Sequence, residues 1–162
     1  MTTVISHFSA LRAIRRARRA YSALPWGIID DRQQAQALAS CVPNKDAIDF
    51  VALAMLDAWS EDDSERLDLL VAGGNNRRPD GRLLQHSVTA PLPAEAIMHI
   101  EADIYATSPA MTAMLCSRNE PVAKVLMLLM ELLGSYSLPP EITNPIAHDD
   151  TWPKAGSSEA MD

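Results

Sequence analysis

The chain reads as an α+β protein: N-terminal helices, a small and mainly antiparallel sheet, a buried C-terminal helix, and an extended tail. Three observations predict this. Up to about residue 60, apolar side chains recur at helical spacing behind capping residues. From Leu67 to Thr107 the pattern changes to short apolar or alternating runs broken by Gly, Asn, Pro and Asp, which are turn-forming residues. The run PVAKVLMLLMELLG then returns to helix. A length of 162 residues with 48% hydrophobic side chains is enough for one core, so residues 1–138 are read as one domain and 139–162 as an extended or disordered tail. Two Phe, three Tyr and three Trp are few, and eight Met are many, so the core is expected to be aliphatic and adaptable.

Taken in order, Ser6 or Ser9 caps a first helix that carries Phe8, Leu11, Ile14 and Tyr21 on one face and runs to about Leu24, where Pro25 ends it. A second helix starts after Asp30, runs through RQQAQALAS and stops near Pro43. A third, AIDFVALAMLDAW, capped by Asn44 or Asp46, is apolar enough to be largely buried. The acidic stretch SEDDSE follows as a solvated loop. LDLLVA and LLQHSV are two short strands that pair across the turn-rich GGNNRRPDGR. In IMHIEADIYAT, Met98, Ile100, Ala102 and Ile104 alternate with His99, Glu101, Asp103 and Tyr105, as in one half-exposed strand. Ser108 with Pro109 opens a short helix, PAMTAMLCS. The last helix begins around Pro121 and closes at Gly134, and its MLLMELL segment is expected in the core. After Leu138, PPEITNPIAHDDTWPKAGSSEAMD has many prolines and no period, with Ile142, Ile146 and Trp152 as its apolar anchors.

Composition excludes several classes of function. Cys41 and Cys116 form neither a CxxC pair nor a zinc-ligand spacing, so they read as reduced, buried thiols. The longest apolar run, Val125 to Met130, is too short to span a bilayer, and no secretory core precedes the arginines; the expectation is a cytoplasmic protein without membrane attachment. Gly73-Gly74 lacks the Gly-Lys-Ser/Thr that would make it a phosphate-cradling loop, and GxGxxG is absent. No nucleophile elbow supports a Ser–His hydrolase. His99, Glu101 and Asp103 on one strand face, with His86 nearby, resemble a ligand set, but solvated alternation explains them and the Pro-Cys-x-x-Cys of zinc deaminases is missing. No catalytic residue, metal ligand or cofactor is therefore expected.

The arginines carry the one functional signal. Net charge is −7, yet Arg12, Arg15, Arg16, Arg18 and Arg19 lie in an N-terminal stretch free of acidic residues. Arg12, Arg15, Arg16 and Arg19 share a helical face that can neutralise phosphates, and Arg77, Arg78 and Arg82 form a second basic cluster. The expected nucleic-acid contacts are thus Arg12, Arg15, Arg16, Arg19, Arg77 and Arg78.

The strings VISHFSALRAIRRARR, LDLLVAGGNNRR, QHSVTAPLPAEA, IYATSPAM and MELLGSYSLPP resemble the N-terminal half of a group of uncharacterised actinobacterial proteins. Members of that group often continue into an endonuclease-like domain of the very-short-patch-repair type, and their front part is similar in outline to AbiEi-type abortive-infection antitoxins. The resemblance covers most of residues 4–140. It implies a non-catalytic interaction or regulatory module linked to bacterial defence or toxin–antitoxin-like systems, with a protein partner or weakly held nucleic acid. The alternative it implies is a nuclease-related protein lacking its catalytic domain and active only with a partner chain, since the Glu-x-Lys pair of such nucleases is absent after Pro139.

Overall fold

The computed structural model describes residues 2–21, 23–41, 43–61, 66–73, 81–118 and 120–133. Its strands are β1 (Thr3–Ile5), β2 (Gly27–Ile28), β3 (Leu67–Ala72), β4 (Leu83–Val88), β5 (Ile97–Glu101) and β6 (Ile104–Thr107). Its helices are α1 (His7–Ala20), α2 (Asp31–Ser40), α3 (Phe50–Met55), α4 (Pro109–Cys116) and α5 (Val122–Leu133). This is the α+β class that the sequence predicts.

The six strands form one mixed sheet in the order β2-β5-β6-β1-β3-β4. Pairs β1–β3, β2–β5 and β5–β6 are antiparallel, whereas β1–β6 and β3–β4 are parallel. β3 and β4 pair as expected, in register from Leu67↔Leu83 to Ala72↔Val88, but side by side in the same direction. β1 is three residues long and still holds a central place, because its neighbours β3 and β6 supply hydrogen bonds on both sides. Both alternating sets of residues on β3 are buried from Leu67 to Val71, and α1 and α2 both pack on this strand.

Local chemistry explains where α2 and α4 start. Asp30 accepts from the Gln33 backbone N–H while the Gln33 side chain accepts from the Asp30 backbone N–H, a reciprocal cap that starts α2. Ser108 caps α4 with Pro109 in its first turn. Gln34 is buried on α2, where its carbonyl oxygen accepts from the Ile97 N–H at 2.8 Å and ties α2 to β5.

Four expectations need correction. α1 ends at Ala20, before Pro25, with Tyr21 already extended. The third helix is interrupted: Lys45–Ala47 is a single 3-10 turn, Ile48 is extended, and Asp49 accepts from the Ala52 N–H to start α3 afresh. In α3 only Leu53 is buried, and Val51 and Met55 face outward. The alternating stretch 97–107 is two strands rather than one, folded back at Ala102–Asp103 with Ala102 at φ 43°. Finally, α5 buries only one face, formed by Leu128, Glu131 and Leu132. The positions given to Gly134 and to the tail from residue 139 lie outside the described residues.

Candidate functional site: a histidine–aspartate cluster and an arginine clamp

Asp68 sits in the apolar strand LDLLVA and is 5% exposed. A carboxylate taken out of water in this way needs partners. They come from two other segments. The parallel register Leu70↔His86 puts His86 on the same sheet face as Asp68, one step along β4, and its Nε2 lies 2.8 Å from the Asp68 Oδ1. The β1–α1 junction closes the other side. The Ser6 N–H donates to the Asp68 carbonyl at 2.9 Å, and the Ser9 hydroxyl oxygen accepts from the Asp68 N–H at 3.0 Å. His7 is thereby carried over His86, where the two imidazoles stack with centroids 3.6 Å apart and planes 21° from parallel.

Ligand-capable atoms of His7, Asp68 and His86 all fall within 4.8 Å of one another. His7 has φ 45°, a left-handed conformation that costs a non-glycine residue about 1–2 kcal/mol and persists only where its surroundings enforce it. The Ser6 hydroxyl lies 3.0 Å from its Nδ1 and makes no capping bond to the helix. Burial, and then the neighbouring His86, hold the His7 pKa down at about 4; Asp68 opposes this and Arg118 adds to it. The ring is therefore neutral at pH 7, with one nitrogen lone pair available. Nearby, burial pushes the Cys116 thiol up to about 12, with the Asp68 charge adding to the rise. It is an inert core thiol.

The residues singled out from sequence are distributed differently. His99 lies on β5, four places across the sheet from β4; its Nε2 is 2.9 Å from the Ala102 carbonyl and its ring rests on Tyr105. His86 therefore serves another cluster. Nothing in local spacing joins residues 7, 68 and 86. The one legible hint is the single acid inside an otherwise apolar strand.

The arginines of α1 turn largely inward. Arg12 donates to the Ala58 carbonyl at 2.7 Å. Arg15 grips the Glu131 carboxylate side-on, Nε donating to Oε1 at 2.5 Å and Nη2 to Oε2 at 2.7 Å, and the two side chains are 15% and 6% exposed. Arg18 donates to the carbonyls of Glu131 and Leu132, two of the acceptors left open at the end of α5. Arg19 reaches the Arg15 carbonyl at 3.3 Å and Asp57 at 3.8 Å at the surface. Arg16 is exposed, while Arg77 and Arg78 lie outside the described residues.

With Glu131 turned toward Arg15, the opposite side of α5 is apolar and faces solvent. Val122, Leu126, Met130 and Leu133 are 75, 55, 59 and 59% exposed, with Met114 of α4 at 55% beside them. Their spacing puts all four on one stripe of the helix. The expectation that the Met-rich segment is core thus holds for Leu128 and Leu132 and in part for Leu129, and fails for Met130 and Leu133. Leu133 and Met114 also line a cavity of about 480 Å³ that continues to Met98, Met111 and Ile28.

No family model, curated protein or solved structure matches the chain. Among the described residues, no helix is long and apolar enough to cross a membrane.

Proposed function

We propose that this chain is a non-catalytic interaction module of the bacterial cytoplasm, and that it holds a protein partner on the apolar stripe of α5 and the adjoining methionine-lined groove. The observation that carries this reading is the stripe itself. Apolar surface organised on one face, next to a concavity, marks a binding surface, unlike scattered exposed leucines. Methionine side chains adapt to the shape of an inserted apolar helix. The resemblance to abortive-infection antitoxins supplies the context: the partner is the product of an adjacent toxin-like or nuclease-like reading frame.

A nucleic-acid role draws less support from the geometry. With Arg12 and Arg15 bonded within the fold, a phosphate-binding face on α1 would rest on Arg16 and Arg19. The test is co-expression with the product of the adjacent frame and measurement of the complex by size-exclusion chromatography with light scattering. Leu126→Asp with Met130→Asp should abolish the complex in a chain that keeps its far-UV circular dichroism, and Arg16→Gln with Arg19→Gln should leave it intact. A complex that survives the α5 changes but is lost with the arginines would reject this surface.

A further inference from the structure

We propose that His7, Asp68 and His86 form a binding site for a late first-row divalent cation of the zinc class. The donor set is two imidazoles and one carboxylate, which suits zinc, cobalt or iron and leaves magnesium and calcium, which prefer all-oxygen sites, poorly served. Three protein ligands leave a fourth position of a tetrahedral ion open. The partly exposed edge of His86, whose side chain is 28% exposed, points to where that position meets solvent.

Three features distinguish this cluster from an ordinary buried ion pair. First, a single histidine would satisfy Asp68, yet a second imidazole is brought against the first by a strained backbone at His7. Two imidazolium rings 3.6 Å apart would repel, so the stack requires at least one neutral, coordinating-competent ring. Second, the polar groups behind the ligands are in place. Ser6 Oγ meets His7 Nδ1, while the backbone of Asp68 is held by Ser6 and Ser9. Such supports fix ligand rings and carboxylates in metal sites. Third, the ligands come from the β1–α1 junction, β3 and the edge strand β4, so one ion would join three segments distant in sequence. Coordination requires the rings to splay from their 21° stack, a side-chain motion that the open edge permits.

The test uses the full chain, stripped with chelator and titrated with cobalt(II) at pH 7.5. One equivalent should bind with visible d–d absorption and be displaced by zinc. His86→Gln and His7→Gln should each weaken uptake by roughly tenfold to a hundredfold or more, while His99→Ala and His148→Ala should leave it unchanged. A readout on the unaltered chain keeps the result independent of how well the variants fold: zinc should shift the ring resonances of two histidines, assigned to His7 and His86, and not those of His99. The proposal is overturned if the wild-type chain takes up no cobalt or zinc, or if uptake survives both His7→Gln and His86→Gln. It is equally overturned if the perturbed rings are those of His99 or His148.

Discussion

Replacing Glu131 by leucine should be among the most damaging single changes on α5, although the new residue is more hydrophobic. The Arg15 side chain is 15% exposed, and its guanidinium makes two hydrogen bonds to this carboxylate. Taking the carboxylate away leaves a cation in a mostly closed site without the charge that now balances it. Removing one partner of a buried pair costs about 3–5 kcal/mol, whereas removing both is close to neutral or even stabilising. At about 2–4 °C per kcal/mol for a domain of this size, Glu131→Leu should lower Tm by roughly 6–20 °C. Arg15→Leu with Glu131→Leu should recover most of that loss. Among the described residues Arg18 bonds to backbone carbonyls of α5, a contribution common to both variants that cancels in the comparison. The assay is urea unfolding followed by circular dichroism, with unchanged slope as the check that the same transition is compared. A loss below about 1 kcal/mol, the range of solvated surface pairs, would refute the reasoning. A double variant as unstable as the single one would do so too, because the cost would then lie in packing rather than in an unpaired charge.

Two further outcomes follow from titrating groups. His7 has a folded pKa of about 4 against an ordinary 6.5, so its neutral form contributes stability that is fully present above pH 6.5 and is lost as pH falls toward 4. In chelator, Tm should drop across that window, and His7→Gln should flatten the drop; an identical slope in the variant would remove His7 as its cause. Burial raises the Cys41 and Cys116 thiols, so at pH 8 both should resist a disulfide reagent in the native chain and react fully in urea. Rapid labelling of either one in the native state would contradict its placement in the core.

What could be read from sequence was what neighbouring residues decide among themselves. Ser108-Pro109 announces α4, Asp30 announces α2, and the apolar period announces α5, since capping and helical period act within a few residues. The hairpin at Ala102–Asp103 escaped because it uses neither Asn-Gly nor Asp-Gly, the pairs that ordinarily signal such a turn. Likewise, the inward turn of Glu131 depends on Arg15, 116 residues away, while Val122, Leu126, Met130 and Leu133 of a helix read as core face outward. The cluster at Asp68 was equally hidden, since residues 7, 68 and 86 become neighbours only through the register of β3 with β4 and the path of the chain into α1.

The place of β1 has a consequence for the order in which the chain assembles. Its three residues precede those of the other five described strands, yet they lie between β3 and β6 and pair with Leu69 and with Ile104 to Ala106. Of the six strands described, the earliest in the chain must therefore wait for the latest. Until residue 107 is available, β1 can pair with β3 alone, and closing it against β6 carries the entropic cost of a loop of about a hundred residues. During that interval β1 lacks its neighbour on the β6 side, and this open edge makes the nascent chain most vulnerable to association with other copies just before β6 appears.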